Sequence, residues 1–347
     1  MKRNFTFNKC IDASRLVDIS QNPISTIGSY GVVYKGKFNK KKHNSDQSTN
    51  QKENLIDCAI KYLISNNLNQ DFSAFHKEIK TQNLIKHPAI LELLGYIIPF
   101  CGVGRLTIVT PFMEKGSLRN LLIEERKGNA PEGWDSTKKM INIIGIAAGL
   151  HRMHEVSLIH RDIKPENILL DNDLYPKICD FGYSKIFEEG RDEIIQRTYC
   201  GTESYMAPEL LSRSEYNRTV DVYAYGVVLY ELLTNETYFE KLAKDRITFI
   251  NVVVKGKRPD ISKDIRFKPF FRKLIENCWD KDPKVRPFFD DILKSLLEAY
   301  KKRRLIPLKN EINEYILKTI DASEFDIEFA QKLVDEEIEE EEEDRID

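Results

Sequence analysis

The sequence has little of what would mark a secreted, membrane-spanning or nucleic-acid-binding protein. Its six cysteines are scattered without a Cys-x-x-Cys pair, which indicates reduced thiols and neither a disulfide framework nor a zinc site. Lys and Arg total 53 against 55 Asp and Glu, so the charge gives no reason to expect nucleic acid or an anionic membrane as the main partner. The first residues, MKRNFTFNKC, lack the apolar core of a secretory signal. We expect a cytoplasmic or nuclear location.

Long apolar runs that could cross a membrane are also missing. The most apolar long stretch, residues 90–110, is interrupted by Glu92, Pro99 and Arg105, so it predicts strands joined by a turn and no membrane span. What is present is the composition of a globular protein with a substantial core, because 41% of the residues are hydrophobic and 31% are charged. The 347 residues fit one large domain with short extensions.

The first third of the chain shows the pattern of a strand-rich region with one helix. Residues 25–38 predict two strands around a glycine turn, and residues 57–63 predict a further strand. Between them, residues 39–54 form a polar tract that we interpret as an insertion between strands. Residues 71–86 predict a helix that begins at an Asp71 cap. Its apolar residues are Phe72, Phe75, Ile79 and Ile85.

Helical patterns dominate the rest of the chain. Residues 136–155 repeat apolar side chains at helical spacing, and residues 219–234 are apolar on nearly every side, which is typical of a helix buried inside a helical region. After Tyr300 the tail opens with KKRR and ends in a run of glutamates, and its apolar residues suggest two short amphipathic helices. These residues are Ile312, Tyr315, Ile316 and Ile320, and then Phe325, Phe329 and Leu333.

Two motifs of the strand-rich region are suited to a phosphate ligand. Within residues 26–33, Gly28 and Gly31 permit close approach of the backbone to phosphate oxygens, although a glycine turn in any hairpin has the same pattern. The sequence CAIK ends in Lys61, and a Lys ammonium that leaves solvent needs a phosphate or a carboxylate as partner. Glu78 could supply that carboxylate. Taken in isolation, a surface Lys and a solvated Glu explain the pair better.

The most specific string in the chain is IHRDIKPEN, residues 159–167. It resembles the catalytic loop of protein kinases, and the similarity extends over roughly residues 20–300. The resemblance implies that Asp162 accepts or orients the proton of the substrate hydroxyl, that Lys164 holds the γ-phosphate of ATP, and that Asn167 binds Mg²⁺. Because Asp162 and Asn167 lie on one loop, the hydroxyl and the metal-bound phosphate would be fixed relative to each other.

The sequence KICDFG, residues 177–182, resembles the magnesium-binding turn of the same family, with Asp180 as the metal ligand. The resemblance also assigns Lys61 to the non-transferred phosphates and Glu78 to Lys61. One departure is Thr26, which stands where the family has the first glycine of its loop. The ATP-binding residues that the resemblance implies are Ile27, Gly28, Gly31, Val33, Ala59, Lys61, Thr110, Pro111, Met113, Leu169 and Asp180.

Motifs further along the chain agree with this resemblance. Residues 201–209 contain Gly-Thr and Ala-Pro-Glu, which resemble the end of a kinase activation segment. The resemblance implies that Asp221 braces the catalytic loop and that Arg286 pairs with Glu209 inside the larger lobe. The pattern Cys-Trp, Asp-Pro and Arg-Pro in residues 278–287 points to the tyrosine-kinase-like branch of serine/threonine kinases.

Specificity and regulation are predicted from fewer residues. Lys164 and the Gly201-Thr202 pair favour serine and threonine over tyrosine or dual specificity. We hypothesise that Thr198 carries an activating phosphate that pairs with Arg161 and Lys185, because an added phosphate charge orders loops that face cations. The alternative is an unmodified loop threonine in a protein that is active without phosphate. The alternative from another class is a pseudokinase or scaffolding nucleotide-binding module without turnover, which the imperfect glycine loop supports. The motif residues Lys61, Glu78, Asp162, Asn167 and Asp180 argue against it.

The sequence thus predicts an α+β, bilobal protein-kinase-like fold. A small lobe, residues 20–113, would contain an antiparallel sheet and one main helix, and a larger, mainly helical lobe would follow at residues 114–300. Residues 1–19 would form an N-terminal extension and residues 301–347 a charged tail. The predicted function is transfer of the γ-phosphoryl group of ATP, with Mg²⁺, to serine and threonine hydroxyls of protein substrates. The sequence predicts no oligomeric state.

Overall fold

The structure is a computed structural model that describes residues 9–27, 31–40, 55–63, 68–99, 105–187, 201–264, 268–302, 305 and 309–321. The predictions for Gly28, Thr198, most of the polar tract 39–54 and the second tail helix lie outside these residues. The chain divides into two compact units. The small unit comprises Met1–Leu84 and Leu91–Glu114, and the large unit comprises Ile85–Ile90 and Lys115–Asp347.

The small unit is built on an antiparallel sheet with one long helix in its described part. Its elements are β1 (Leu16–Val17), β2 (Ser25–Ile27), β3 (Gly31–Asn39), β4 (Leu55–Tyr62), α1 (Leu68–Leu84), β5 (Gly95–Ile97) and β6 (Thr107–Pro111). The strands lie in the order β1-β3-β4-β6-β5, and β2 pairs with the other end of β3. The predicted hairpin is confirmed, with Ser25 opposite Val33.

The two faces of this sheet bury different apolar clusters. On one face, residues of α1 pack with residues of β5 and β6, and the cluster comprises Phe75, Ile79, Leu93, Tyr96, Leu106 and Ile108. On the other face, Ile11 from the segment before β1 covers the sheet, and the cluster comprises Ile11, Phe38, Cys58, Ile60 and Val109. Side chains alternate between the faces along each strand, and the buried residues of β4, Cys58 and Ile60, both project from the second face.

Helix α1 corrects two details of the sequence prediction. The helix begins at Leu68, so Asp71 lies inside it and is not its N-cap. Phe72 is 46% exposed, whereas Phe75 and Ile79 are buried as predicted. Helix ends depend on how neighbouring chain segments pack, and an Asp next to an apolar pattern is therefore weak evidence for the first residue of a helix.

The large unit is mainly helical, with short strand pairs near its predicted catalytic residues. Its elements are α2 (Leu118–Arg126), α3 (Ser136–Glu155), β7 (Leu158–Ile159), β8 (Ile168–Leu170), β9 (Pro176–Ile178), β10 (Lys185–Ile186), α4 (Pro208–Leu211), α5 (Thr219–Thr234), α6 (Tyr238–Leu242), α7 (Arg246–Val254), α8 (Pro269–Cys278), α9 (Phe289–Lys301) and α10 (Asn310–Asp321). β7 pairs with β10, and β8 pairs with β9, both antiparallel.

Two long helices form the core of the large unit, as their sequences predicted. Asp135 caps α3 by accepting hydrogen bonds from the N–H groups of Thr137 and Lys138. Helix α5 is buried along almost its whole length, because every residue from Thr219 to Thr234 except Leu233 is buried. The α+β class, with a sheet-based small unit and a mainly helical large unit, is confirmed.

The first predicted tail helix is confirmed as α10. Its apolar residues Ile312, Tyr315, Ile316 and Ile320 are all buried in the large unit. The four described cysteines that the structure records, Cys10, Cys58, Cys179 and Cys278, form no disulfide. Among the helices of the described ranges, none has the combination of length and apolarity that crossing a membrane requires.

Candidate active site

In the small unit, Lys61 and Glu78 form an ion pair. Lys61 Nζ lies 2.7 Å from Glu78 Oε1, and the side chains are only 12% and 10% exposed. Lys61 is on β4 and Glu78 is on α1, so the pair joins the sheet to the helix that covers it. The predicted pairing of these residues is confirmed. Two largely desolvated charges at this distance attract each other more strongly than an exposed pair does, and although desolvation offsets much of that attraction, losing one partner leaves a costly unpaired charge.

The strand register places three further predicted nucleotide-binding residues on the face that carries Lys61. Val33 lies directly opposite Lys61 in the β3–β4 pair, and Ala59 lies opposite Thr110 in the β4–β6 pair. Residues directly opposite each other project from the same face, as do residues two apart on one strand. Pro111 lies opposite Cys58 and therefore projects from the other face of the sheet. Strand pairing alone thus brings Val33, Ala59 and Thr110 to the same face as Lys61.

Gly31 is required by the close packing of β3 against β4. A Cβ atom at this position would lie 2.7 Å from the backbone oxygen of Tyr62 on β4. Gly31 lies opposite Ile27 at the end of β2. The side chain of Ile27 and the whole of Gly28 are outside the described residues. Met113 follows β6 and is partly exposed, and its predicted contact with adenine stays a prediction.

Lys35 is a charged residue near these candidates that the sequence did not single out. Its Nζ lies 2.6 Å from Glu114 Oε1 and 3.4 Å from Asp57 Oδ2, and it lies over the ring of Phe112. The hydrogen bond to Glu114 raises the pKa of Lys35. Because all three partners come from outside β3, Lys35 ties this strand to the segment that contains Met113. A lone Lys in a strand gives no sign of such partners.

In the large unit, Asp162 is the centre of a compact hydrogen-bonded group. Its Oδ1 accepts a hydrogen bond from the backbone N–H of Thr202 at 2.8 Å, and its Oδ2 accepts one from Asn167 Nδ2 at 2.9 Å. Lys164 Nζ lies 2.9 Å from the same Oδ2 and donates to the Thr202 hydroxyl at 2.6 Å. Asp162 and Asn167 are 3% and 6% exposed. The residues predicted to act on the substrate hydroxyl, the γ-phosphate and the metal ion therefore meet around one carboxylate.

Gly201 allows Thr202 to reach Asp162. Its φ of +101° lies in the region that favours glycine, and a Cβ atom there would lie 2.6 Å from the backbone oxygen of Arg161. No larger residue fits without moving the catalytic loop. The Gly-Thr pair of the sequence is thus explained by backbone packing beside the candidate catalytic Asp.

Asp221 braces the backbone of the catalytic loop. Its carboxylate accepts hydrogen bonds from the backbone N–H groups of His160 and Arg161 at 2.9 and 2.8 Å. His154 Nε2 lies 2.9 Å from it as a third partner. Burial opposes ionisation, yet the hydrogen bond and charge of His154 and the backbone N–H groups lower the pKa of Asp221. These contacts hold Arg161 at a φ of +68°, which is strained for a residue with a Cβ.

The side chain of Arg161 is engaged within the large unit. Its Nε donates to the backbone oxygen of Tyr183 at 2.7 Å, and its Nη1 donates to the Tyr216 hydroxyl at 2.8 Å. Thr198 lies outside the described residues, so its predicted pairing with Arg161 stays a prediction. In this structure the Arg161 guanidinium donates to the Tyr183 carbonyl and to the Tyr216 hydroxyl.

Asp180 and Asn167 lie at one end of the β8–β9 hairpin. Asn167 immediately precedes β8, and the N–H of Cys179, which follows β9, donates to the backbone oxygen of Asn167 at 2.9 Å. Asp180 comes next, with φ +63° and ψ +74°. His160 Nε2 lies 3.0 Å from the backbone oxygen of Cys179, which fixes the turn from the catalytic-loop side. Leu169, in the middle of β8, is partly exposed.

These motifs recur in comparisons with known sequences, where residues 27–297 match the protein kinase domain family. The chain belongs to that family. It resembles the tyrosine-kinase-like branch of eukaryotic protein kinases, as the motifs predicted. Protein kinase domains in general use ATP and a divalent metal ion to phosphorylate proteins.

Three relatives illustrate the range of similar kinases. The dual specificity protein kinase shkC of Dictyostelium discoideum is 36% identical over 78% of this chain and 49% of its own length. The RGS domain-containing serine/threonine-protein kinase A of the same organism is 31% identical over 80% of this chain and 22% of its own length. Serine/threonine-protein kinase STY17 of Arabidopsis thaliana is 28% identical over 78% and 42%. The chain spans half the length of these relatives or less.

The kinase residues that would hold a metal ion have suitable chemistry. Asn167 Nδ2 donates to both the backbone oxygen and Oδ2 of Asp162, at 2.8 and 2.9 Å. This leaves the amide oxygen of Asn167 as its ligating atom, and Asp180 adds a carboxylate. Mg²⁺ prefers such oxygen ligands and completes its shell with substrate phosphates and water. In the described ranges, no group of three or more His, Cys, Asp or Glu side chains is placed to hold a metal ion.

Two charged networks support the large unit of this kinase. Arg286 pairs with Glu209 through two parallel hydrogen bonds of 2.6 and 2.8 Å, as predicted, and the Arg286 side chain is fully buried. No sequence motif predicted the second network. Arg119 of α2 contacts Glu166 of the catalytic loop and Glu231 of α5, both at 2.9 Å. Burial raises the pKa of Glu231 although Arg119 is adjacent.

Proposed function

We propose that this protein kinase transfers the γ-phosphoryl group of ATP, in the presence of Mg²⁺, to serine and threonine hydroxyls of protein substrates. The observation that carries the proposal is the group formed by Asp162, Lys164, Asn167 and Thr202. In this group one buried carboxylate lies in contact with a cation, an amide and a backbone N–H. Such an arrangement can orient a hydroxyl and stabilise the charge that develops on a transferred phosphate.

Each residue of the group has a separate task in this proposal. Asp162 orients the attacking hydroxyl and accepts its proton, and its contact with Asn167 holds it in place. Lys164 stabilises the γ-phosphate. Asn167 and Asp180 hold Mg²⁺, which neutralises phosphate charge when bound. In the small unit, Lys61 binds the non-transferred phosphates, and Glu78 keeps its ammonium oriented.

The preference for serine and threonine is inferred from the contact between Lys164 and Thr202. The Lys164 ammonium donates to the Thr202 hydroxyl at 2.6 Å, so both residues beside Asp162 are those of the serine/threonine pattern. A second candidate is dual specificity, which also includes tyrosine. It is favoured by the similarity to shkC, a dual specificity protein kinase, which is 36% identical to this chain.

Phosphoamino-acid analysis tests this proposal. The native chain is incubated with γ-labelled ATP, Mg²⁺ and a mixture of generic protein substrates, and the labelled proteins are hydrolysed. We expect phosphoserine and phosphothreonine from the native chain and no label from Asp162→Asn. Phosphotyrosine in the same hydrolysate would replace the serine/threonine assignment with dual specificity. Label that is equal in both samples would come from a contaminating kinase and would contradict the role of Asp162.

A further inference from the structure

Helix α10 lies beyond the residues that match the kinase family, yet it is part of the core of the large unit. The family match ends at residue 297, and α10 spans Asn310–Asp321. Its inward residues Ile312 and Ile320 are fully buried, whereas Glu314 and Lys318 on the opposite side are exposed. An amphipathic helix with one face buried to this degree belongs to the folded unit and stabilises whatever it covers.

One of the regions that α10 covers is the turn between β8 and β9. The rings of Tyr315 on α10 and Tyr175 in this turn pack edge to face, with their centroids 4.9 Å apart. The Tyr175 hydroxyl donates to Glu311 Oε1 at 2.9 Å, and Glu311 also pairs with Lys138 of α3. Burial and the hydrogen bond to Glu311 raise the pKa of Tyr175, so the phenol keeps its proton and remains a donor.

A glycine in the middle of α3 provides independent evidence that this contact is built into the sequence. A Cβ atom at Gly145 would lie inside contact distance of the Tyr315 hydroxyl and 2.7 Å from Pro176 Cγ. Glycine in a helix interior is otherwise disfavoured relative to alanine. Gly145 therefore makes room for the close approach of Tyr315 and of Pro176, the first residue of β9.

The β8–β9 hairpin connects this contact to the candidate metal ligands. Tyr175 and Pro176 lie at its closed end, and Asn167 and Asp180 lie at its open end. The strands are three residues long, so the two ends are only about 10 Å apart. The ladder pairs Ile168 with Ile178, and the two ends are therefore part of one short hydrogen-bonded element. A shift at one end of such a packed element is passed on, because protein interiors are close-packed.

We propose that helix α10 positions the metal-binding end of the β8–β9 hairpin, acting through Tyr315 and Glu311 on Tyr175. The inference rests on the proposed function, because it takes Asn167 and Asp180 as the ligands of Mg²⁺. Tyr315 and Glu311 touch no reacting atom and are positioning residues. Residues behind a metal's ligands commonly set its affinity by fixing the orientation of those ligands.

The test compares three variants of the full chain. Tyr315→Ala removes the ring that packs on Tyr175. Tyr315→Phe keeps the ring and removes only the hydroxyl, which has no hydrogen-bond partner in the described part of the chain. Ile275→Ala removes a buried side chain of α8 and serves as the control for a general loss of core packing. Two readouts are taken, the Mg²⁺ concentration that gives half-maximal kinase activity and the hydrogen exchange rate of the Cys179 amide.

We expect Tyr315→Ala to raise the half-maximal Mg²⁺ concentration by about twofold to tenfold, which is less than the roughly 10–100-fold loss that follows when a group bonded directly to a metal ligand is removed. The Cys179 amide, which is bonded to Asn167, should exchange faster in this variant only. Tyr315→Phe and Ile275→Ala should keep the native Mg²⁺ requirement. A native Mg²⁺ requirement and native Cys179 exchange in Tyr315→Ala would overturn the proposal. So would equal shifts in Ile275→Ala, because they would show a general effect of stability.

Two further variants, Tyr175→Phe and Asp162→Asn, complete the test. If Tyr315→Ala does not fold, Tyr175→Phe removes only the hydrogen bond to Glu311 and is expected to shift both readouts in the same direction by less. Unchanged readouts in Tyr175→Phe would then count against the proposal. Asp162→Asn is measured alongside, and a native chain with no activity above this variant means that the proposed function has failed. In that case the hydrogen exchange rate of the Cys179 amide still tests whether Tyr315 and Glu311 position the hairpin.

Discussion

Asn167 donates both hydrogens of its side-chain amide to Asp162, one to the backbone oxygen at 2.8 Å and one to Oδ2 at 2.9 Å. This contact sets the orientation of the amide and holds the carboxylate that is proposed to orient the substrate hydroxyl. Both residues are almost completely buried, so the two hydrogen bonds are protected from competition with water. The proposed metal site and the proposed hydroxyl site are thereby coupled through a single side chain.

We predict that Asn167→Asp lowers both activity and stability. The new carboxylate would face Oδ2 and the backbone oxygen of Asp162 where two donors are now present, and like charges in a buried site repel. Phosphate transfer should fall at least about 100-fold, which corresponds to ~2.7 kcal/mol of transition-state stabilisation. Asn172→Asp, an exposed change in the β8–β9 turn, is the matched control. Native rates for Asn167→Asp would contradict the proposed coupling.

Glu78→Gln should impair the use of ATP more than it impairs folding. The amide keeps the shape of Glu78 but leaves the Lys61 ammonium without its carboxylate. We expect kcat/KM for ATP to fall by about 10–100-fold, or ~1.4–2.7 kcal/mol. Steady-state kinetics at varied ATP measure the effect. Glu92→Gln, which changes an exposed carboxylate of the same unit, is expected to have native kinetics, and an equal loss in both variants would remove the special role of Glu78.

The Arg286–Glu209 pair is predicted to support the stability of the large unit. Arg286→Met leaves Glu209 buried without its cation, which typically costs about 3–5 kcal/mol. Denaturant unfolding measures the loss. The double variant with Glu209→Leu should recover part of it, because the uncompensated charge is gone. Lys127→Met breaks an exposed pair with Glu124 and should change stability by less than about 1 kcal/mol.

Stability should depend on pH through His87. Its Nδ1 accepts a hydrogen bond from the backbone N–H of Ala89 at 3.1 Å, and its Nε2 lies 3.0 Å from the backbone oxygen of Thr319. Burial, followed by the charges of Arg152, His151 and Lys177, lowers the pKa of His87 from 6.5 to about 4, although the bond to Thr319 opposes this.

The sign follows from which state binds the proton. Between pH 6.5 and about 4 the unfolded chain protonates His87 and the folded chain does not, so the free energy of unfolding falls as the pH falls through this window. The contribution is fully present above pH 6.5. Urea unfolding at several pH values measures the slope, and His87→Gln should flatten it. An unchanged slope in this variant would show that other groups cause the acid sensitivity.

Strong local patterns predicted much of this structure. The apolar spacing of residues 136–155 matches α3 to the residue, and the continuous apolar sequence of residues 219–234 matches the buried helix α5. The pairing of Lys61 with Glu78 also followed from the kinase motifs. These features are predictable because each depends on a periodic pattern or on a motif of fixed spacing.

Contacts between distant residues were not predictable in the same way. Arg119 meets Glu231 across 112 positions of sequence, and nothing near either residue indicates the other. Gly145 lies inside the apolar pattern of α3, and only its contact with Tyr315, which is far away in sequence, explains why a glycine stands there. The predicted start of α1 at Asp71 was wrong, because local capping signals compete with tertiary packing and the helix begins at Leu68.

The most direct test of the central claim is the single-turnover rate of phosphate transfer at saturating MgATP, compared between the native chain and Asp162→Asn. Nucleotide binding is measured in the same samples by calorimetry, so that binding and transfer are separated. We predict that both proteins bind MgATP and that transfer in Asp162→Asn is slower by about 1,000-fold or more, ~4 kcal/mol. A native chain that binds MgATP but transfers no phosphate to any protein substrate would be a pseudokinase, and the account would be contradicted.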